Sequence, residues 1–185
     1  MRQTRVAKRY AKSLLTLATE KNAVEEIHAD MHVISDAIAD NRELEVLLKS
    51  PVVKSDKKSI ILKQIFSSKI SKVSSEFLEI LVRKKREGII EVIADEFEEL
   101  YRRLNKITVA EVRTARTLDE ETTSEIMNIV QKMAHDTIEL KEIIDPDIIG
   151  GFIIKVGDKQ VDASVLRKLS DYRKTFSKNP YIANL

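Results

Sequence analysis

The stretch from Asp145 to Leu169, DPDIIGGFIIKVGDKQVDASVLRKL, sets a turn, a hairpin and a helix start in close succession, and it decides the fold of its half of the chain. Asp145-Pro146 ends whatever precedes it, because proline has no N–H to donate and pushes the residue before it out of the helical region. Ile148 and Ile149 lead into Gly150-Gly151, where the missing side chains allow a bulge or a close backbone approach. Phe152 to Val156 reads as a strand, Gly157-Asp158 as a tight turn, and Val161 closes the returning strand. Asp162 or Ser164 then caps a helix carrying Val165, Leu166, Leu169 and Tyr172.

Working outward, the pattern changes at Asn105-Lys106, and Ile107 to Val112 is rich enough in β-branched residues to be a strand. Asp119 to Met133 is helical, with Ile126, Ile129, Val130 and Met133 on one side, and Thr137 to Ile144 alternates as another strand. Residues 106–185 are therefore expected to form an α+β domain of a short β-sheet and two helices. The tail after Phe176, SKNPYIANL, is polar, contains a proline and is expected to pack poorly.

Residues 1–105 read differently, as short amphipathic helices joined by polar punctuation. The first places Ala7, Tyr10, Ala11, Leu14, Leu17 and Ala18 on one face. A second starts at Asn22 with Glu25 three residues on, a capping-box variant, and aligns Val24, Ile27, Met31, Ile34 and Ile38. Leu44, Leu47 and Leu48 mark a third, stopped by Pro51; Ser55 caps a fourth holding Ile61, Leu62, Ile65 and Phe66. Val73, Phe77, Ile80 and Leu81 mark the fifth, and Gly88 precedes a long sixth with Ile89, Ile93, Phe97, Leu100 and Leu104. Short connections make these antiparallel neighbours in a six-helix bundle. The fold class is thus mostly α with a small α+β part.

Composition narrows the function classes. The 185 residues carry 32 Lys plus Arg against 30 Asp plus Glu, a net charge of +2, so no overall field selects a nucleic acid or a membrane surface. Cysteine is absent, which removes disulfides, thiolate catalysis and Cys-based zinc sites. No apolar run approaches the roughly 20 residues that span a bilayer. Any membrane association is expected to run through partners.

The residues that invite chemistry each have a plainer reading. His28 and His32 are four apart on a helix with Glu25 and Asp36 near the same face, which admits a two-histidine metal site. A solvated polar face opposite Ile27 and Ile34 is the preferred reading of the pair, and no metal ligand is assigned. Gly150, Gly151 and Gly157 lack the G-x-G-x-x-G spacing, and no helix follows the pair, so they are turn or bulge glycines rather than a phosphate cradle. Arg83-Lys84-Lys85-Arg86 is a dense basic run that closes a helix, where cations suit the C-terminal dipole. It supports the runner-up reading, a helical regulatory module that binds nucleic acid through phosphates. His135 reads as a helix-end residue, and every Ser is cap-like or exposed, so no triad or carboxylate pair assembles. No catalytic residue and no cofactor is expected.

A chain of surfaces without a reaction implies partners. In the first helix Ala7 and Ala11 are small enough to admit another helix, and Tyr10 and Leu14 offer contact area; periodicity alone favours a bundle core over a groove for each of the four. If Leu14 lines a groove, Leu14→Asp weakens attachment and spares the helical content; if it is core, the helical content is lost.

The order D-P-x-I-I-G-G-F-x-x-x-V-G-D-x-x-x-D-x-S-x-x-x-x-L resembles the C-terminal signature of the delta subunit of bacterial F-type ATP synthases, whose mitochondrial counterpart is the oligomycin sensitivity-conferring protein. Val6 to Ala11 is similar to the family's opening helix, Arg86 to Ile90 with Phe97 to Leu100 to its middle, and Val112, Ala115 and Leu118 to the start of its second half. The resemblance implies a non-catalytic stator connector on the cytoplasmic side of the bacterial plasma (inner) membrane, reaching that membrane only through its complex. Its N-terminal domain, residues 1–105, would bind alpha subunit N-terminal helices at the catalytic head, and residues 106–185 would bind the b subunits of the peripheral stalk. Holding head to stalk would couple rotation to ATP synthesis and proton transport. Carried onto this chain, the alpha groove would lie between the first and fifth helices, with Ala7, Tyr10, Ala11 and Leu14 facing Leu78, Leu81 and Val82. The stalk-binding domain would be organised by Asp145, Pro146, Gly150, Gly151, Gly157, Asp162 and Ser164, as residues that set shape.

Overall fold

A computed structural model describes residues 2–133 and 137–177. The expectations for His135 and for the tail beyond Ser177 lie outside the described residues. Contacts divide the chain into two compact units, Met1–Leu104 and Asn105–Leu185. The described residues are mostly helical with one small four-stranded sheet.

The first unit runs through α1 (Arg2–Glu20), α2 (Val24–Asp40), α3 (Arg42–Lys49), α4 (Ser55–Phe66), α5 (Lys72–Arg83), a 3-10 turn (Glu87–Ile89) and α6 (Ile90–Leu104). One apolar cluster joins them, with Leu14, Ile27, Ile34, Phe66, Leu81, Ile93 and Phe97 all fully buried. Burying such a side chain is worth about 1.5–3 kcal/mol, so this cluster is the principal reason that short helices persist.

Two helix ends differ from the sequence expectation. Asn22 does not begin α2: its φ of 52° is left-handed, and Ala23 N–H donates to Ala18 O at 2.9 Å across it, so Asn22 closes α1. Asparagine tolerates that conformation better than most residues, which is why it serves a C-terminus here and leaves Ala23 as an N-cap without a side-chain bond. Ser55 lies inside the first turn of α4, and Lys54 precedes it as an N-cap with no side-chain bond. The basic run does close a helix. Lys85 is left-handed at φ 55°, and Arg86 N–H reaches Leu81 O at 2.8 Å.

Polar groups tie the helices together where sequence gave no signal. Lys58 is buried, and its ammonium donates to Leu48 O at 2.8 Å, Ser50 O at 2.7 Å and Glu87 Oε1 at 2.7 Å. All three of its donors are thereby used, and two go to carbonyls at the end of α3. Asp30 of α2 accepts from both the N–H and the hydroxyl of Ser71, at 3.0 and 2.6 Å, steadying the residue that caps α5.

The second unit contains β1 (Ile107–Thr114), α7 (Glu120–Met133), β2 (Thr137–Ile144), β3 (Phe152–Val156), β4 (Lys159–Asp162) and α8 (Val165–Ser177). The sheet order is β2-β1-β3-β4. β1 and β2 are parallel, linked through α7, whereas β3 pairs antiparallel with both β1 and β4. The β3–β4 hairpin turns on two residues, with Gly157 at φ 57° where a side chain would be strained. One face of the sheet offers Ala110, Val112, Ile154 and Val156 to Ile126 and Val130 of α7. On the opposite parity Glu111 stands between Lys141 and Lys155 in register, a row of alternating charge.

Candidate partner-binding surfaces

The C-terminal signature builds a platform for α8. Asp145 N–H pairs with Thr114 O at 2.8 Å, and its carboxylate accepts from Asp147 N–H at 3.0 Å, forming the turn that Pro146 enforces. Gly150 and Gly151 then pass close beneath the β4–α8 junction. Gly150 O accepts from Val165 N–H at 2.9 Å, and a Cβ added at Gly151 would lie 2.4 Å from Ala163 O. Of the two sequence alternatives, bulge or close approach, the structure uses close approach, because β3 begins only at Phe152.

Asp162 and Ser164 share the capping that sequence left between them. The Ser164 hydroxyl accepts from Arg167 N–H at 3.2 Å, so Ser164 caps the helix, while Asp162 Oδ1 accepts from Ser164 N–H at 3.0 Å and orients it. Hydrogen bonding from the Ser164 hydroxyl first, and its N–H second, holds the Asp162 carboxyl below the ordinary aspartate range. Ser164 itself is buried.

What this platform holds out is an uncovered apolar stripe. Val165, Leu169, Tyr172 and Phe176 fall on one side of α8 with Leu166 beside them, and they remain exposed, from 38% at Val165 to 85% at Phe176. No residue of α8 is buried. Sequence places Val165, Leu166, Leu169 and Tyr172 on a helix without assigning them a contact, and the structure adds Phe176; a stripe at helical spacing looks the same whether a core or a partner covers it.

The predicted alpha-groove residues show the reverse. Ala7, Ala11 and Leu14 of α1, and Leu78, Leu81 and Val82 of α5, are buried in the core of their own unit. Tyr10 is half-buried, and its ring meets Phe77 edge-on at 6.4 Å between centroids. The core reading of Leu14 is therefore the one that its environment supports. Leu17, two turns from Tyr10, and Ile80, one turn from Phe77, are exposed apolar residues on the same helices.

Arg83 to Arg86 are exposed. Lys85 and Arg86 border a broad open cleft of about 1580 Å³ together with Arg5, Arg9 and Lys54, so the basic run contributes its charges to this recess as well as its backbone to a helix end. For His28 and His32 the structure brings a carboxylate from another helix. Glu98 of α6 meets both rings, while Glu25 accepts from the Tyr101 hydroxyl at 2.6 Å. Among the described residues no helix is long and apolar enough to cross a membrane.

These features coincide with one family along nearly the whole chain. Residues 6–176 match the family model described as ATP synthase delta (OSCP) subunit. The chain is 38% identical over 185 residues to the ATP synthase subunit delta of Christiangramia forsetii, covering 100% of both. It is 37% identical to that of Cytophaga hutchinsonii, covering 96% of this chain and 97% of the relative. A chain in the cryo-EM structure of the Toxoplasma gondii mitochondrial ATP synthase hexamer superposes with a TM-score of 0.69 at 25% identity, over 94% of this chain and 98% of that one. With its residues spent on packing, capping and an uncovered helix, the chain belongs to the ATP synthase delta (OSCP) subunit family, a structural stator component of the F-type enzyme rather than a catalytic one.

Proposed function

We propose that the chain joins the catalytic head to the peripheral stalk, with the six helices of the first unit acting as one bundle that binds alpha subunit N-terminal helices and the second unit binding b subunits. The observation that carries this reading is α8, a capped helix whose apolar stripe is exposed. Such a stripe suits a partner that is itself an amphipathic helix, since each can bury the other's apolar face. On the head side, the partner helix would lie along the seam where Tyr10 meets Phe77, reaching Leu17 and Ile80. Ala7, Ala11, Leu14, Leu78, Leu81 and Val82 would support that seam from beneath.

A connector must resist slipping, so slow dissociation matters more than fast association. Two anchor points help, because a partner released at one end is held near by the other and rebinds at raised effective concentration. Holding the head against the turning central stalk in this way would couple rotation to ATP synthesis and proton transport at the cytoplasmic side of the bacterial inner membrane.

The test uses the full chain with Leu169→Asp and Tyr172→Asp together. Capture of b subunits from solubilised membranes is expected to be lost, with capture of the head retained. Undiminished b-subunit capture would refute the assignment of α8 to the stalk. Steep loss of the wild-type interactions with salt would instead favour the phosphate-binding alternative.

A further inference from the structure

The side chains around His28 form a cluster that a connector role leaves unused. His28 and His32 stand one turn apart on α2, and Glu98 reaches them from α6. Glu98 Oε2 lies 2.6 Å from His28 Nε2 and 3.1 Å from His32 Nε2, and the two nitrogens are 3.2 Å apart.

Protons alone satisfy this triangle poorly. Each of its three edges needs a hydrogen, yet an imidazole nitrogen either donates or accepts and cannot do both. With both Nε2 atoms protonated, two donors face each other across the His28–His32 edge. With one of them bare, its lone pair faces the Glu98 carboxylate.

A divalent cation at the centre resolves the conflict, since all three atoms can then present lone pairs to it. Zinc takes nitrogen and carboxylate oxygen at about 2.0–2.2 Å, which in a tetrahedron places ligand atoms about 3.3 Å apart. The 3.2 and 3.1 Å edges already fit, and the 2.6 Å edge requires only that the carboxylate move back. Two imidazoles with one carboxylate suit zinc-like ions, whereas magnesium and calcium favour all-oxygen sites. The neighbours restrain the ligands. Tyr101 stacks on the His28 ring at 3.6 Å and 9°, with its hydroxyl held by Glu25, and Arg102 holds the other Glu98 oxygen. Side-chain exposures of 20% for His28, 19% for Glu98 and 52% for His32 leave one side open for ion access and for water as a fourth ligand.

We propose that His28, His32 and Glu98 form a zinc-type divalent metal site that staples α2 to α6. The ligands lie on two helices that already pack together, so the ion would lock an existing contact and its effect would be mechanical rather than catalytic. Because it stands apart from the stator reading, the two can fail separately.

Isothermal titration calorimetry of the tag-free full chain, stripped with chelator and titrated with zinc chloride, tests it. One equivalent of zinc is expected to bind and to raise the thermal midpoint by roughly 5 °C at saturation. His32→Gln and Glu98→Gln, measured separately, should each weaken binding at least about ten-fold while leaving the metal-free helical circular dichroism unchanged. Magnesium should give no such shift. Absence of saturable zinc binding, or equal binding by the His32→Gln/Glu98→Gln double variant, would overturn the proposal.

Discussion

α1 and α8 carry apolar stripes of the same period and meet opposite fates. On α1 the stripe of Ala7, Ala11, Leu14 and Ala18 is sealed beneath α2 and α6, whereas on α8 Val165, Leu169, Tyr172 and Phe176 face solvent. Periodicity establishes that a face exists; only the neighbours of that face decide whether it serves stability or recognition. The difference assigns the two helices different work, and substitutions should separate them.

The largest effect is expected from Leu14→Asp. A charge placed in the sealed core without a partner should abolish the helical circular dichroism of the first unit, and the milder Leu14→Ala should cost about 2–5 kcal/mol in chemical denaturation. Gly151→Ala comes next, because the added Cβ would strike Ala163 O and the backbone at φ 78° disfavours it. A loss of about 1–3 kcal/mol is expected from thermal unfolding of the second unit. Leu169→Ser on α8 should change stability by no more than about 0.5 kcal/mol, since the side chain is already in water. A loss comparable to that at Leu14 would show that α8 is covered in solution and would erase the contrast.

The smallest effect concerns pH. The Asp162 carboxyl titrates below its unfolded value, so the stability that it lends the α8 cap is present above the ordinary aspartate pKa and is lost as pH falls through the lowered one. A carbon-detected NMR titration should place its midpoint below that of an unstructured aspartate. A midpoint at or above the ordinary value would remove Asp162 from the cap.

Local chemistry explains why much of this was legible in the sequence. The proline, the glycine turn and the Asp162–Ser164 cap act within a few residues, and they appear where the pattern placed them. What was illegible depends on distance along the chain. Glu98 meets His28 from 70 residues away, and Lys58 meets Glu87 from 29, so neither pairing has a local signature. Asn22 misled because the same short amide serves at a helix start and, in the left-handed conformation, at a helix end. Core and groove were not separable at Ala7 and Ala11 from spacing alone, because small residues admit a neighbouring helix and here the chain supplies one itself.

The most direct test is hydrogen–deuterium exchange of the full chain, free and with the b subunit of its own ATP synthase. Slow exchange across Val165 to Ser177 only in the complex is the result predicted for an uncovered helix that docks the stalk. Unchanged exchange in α8, with protection gained elsewhere, would contradict it.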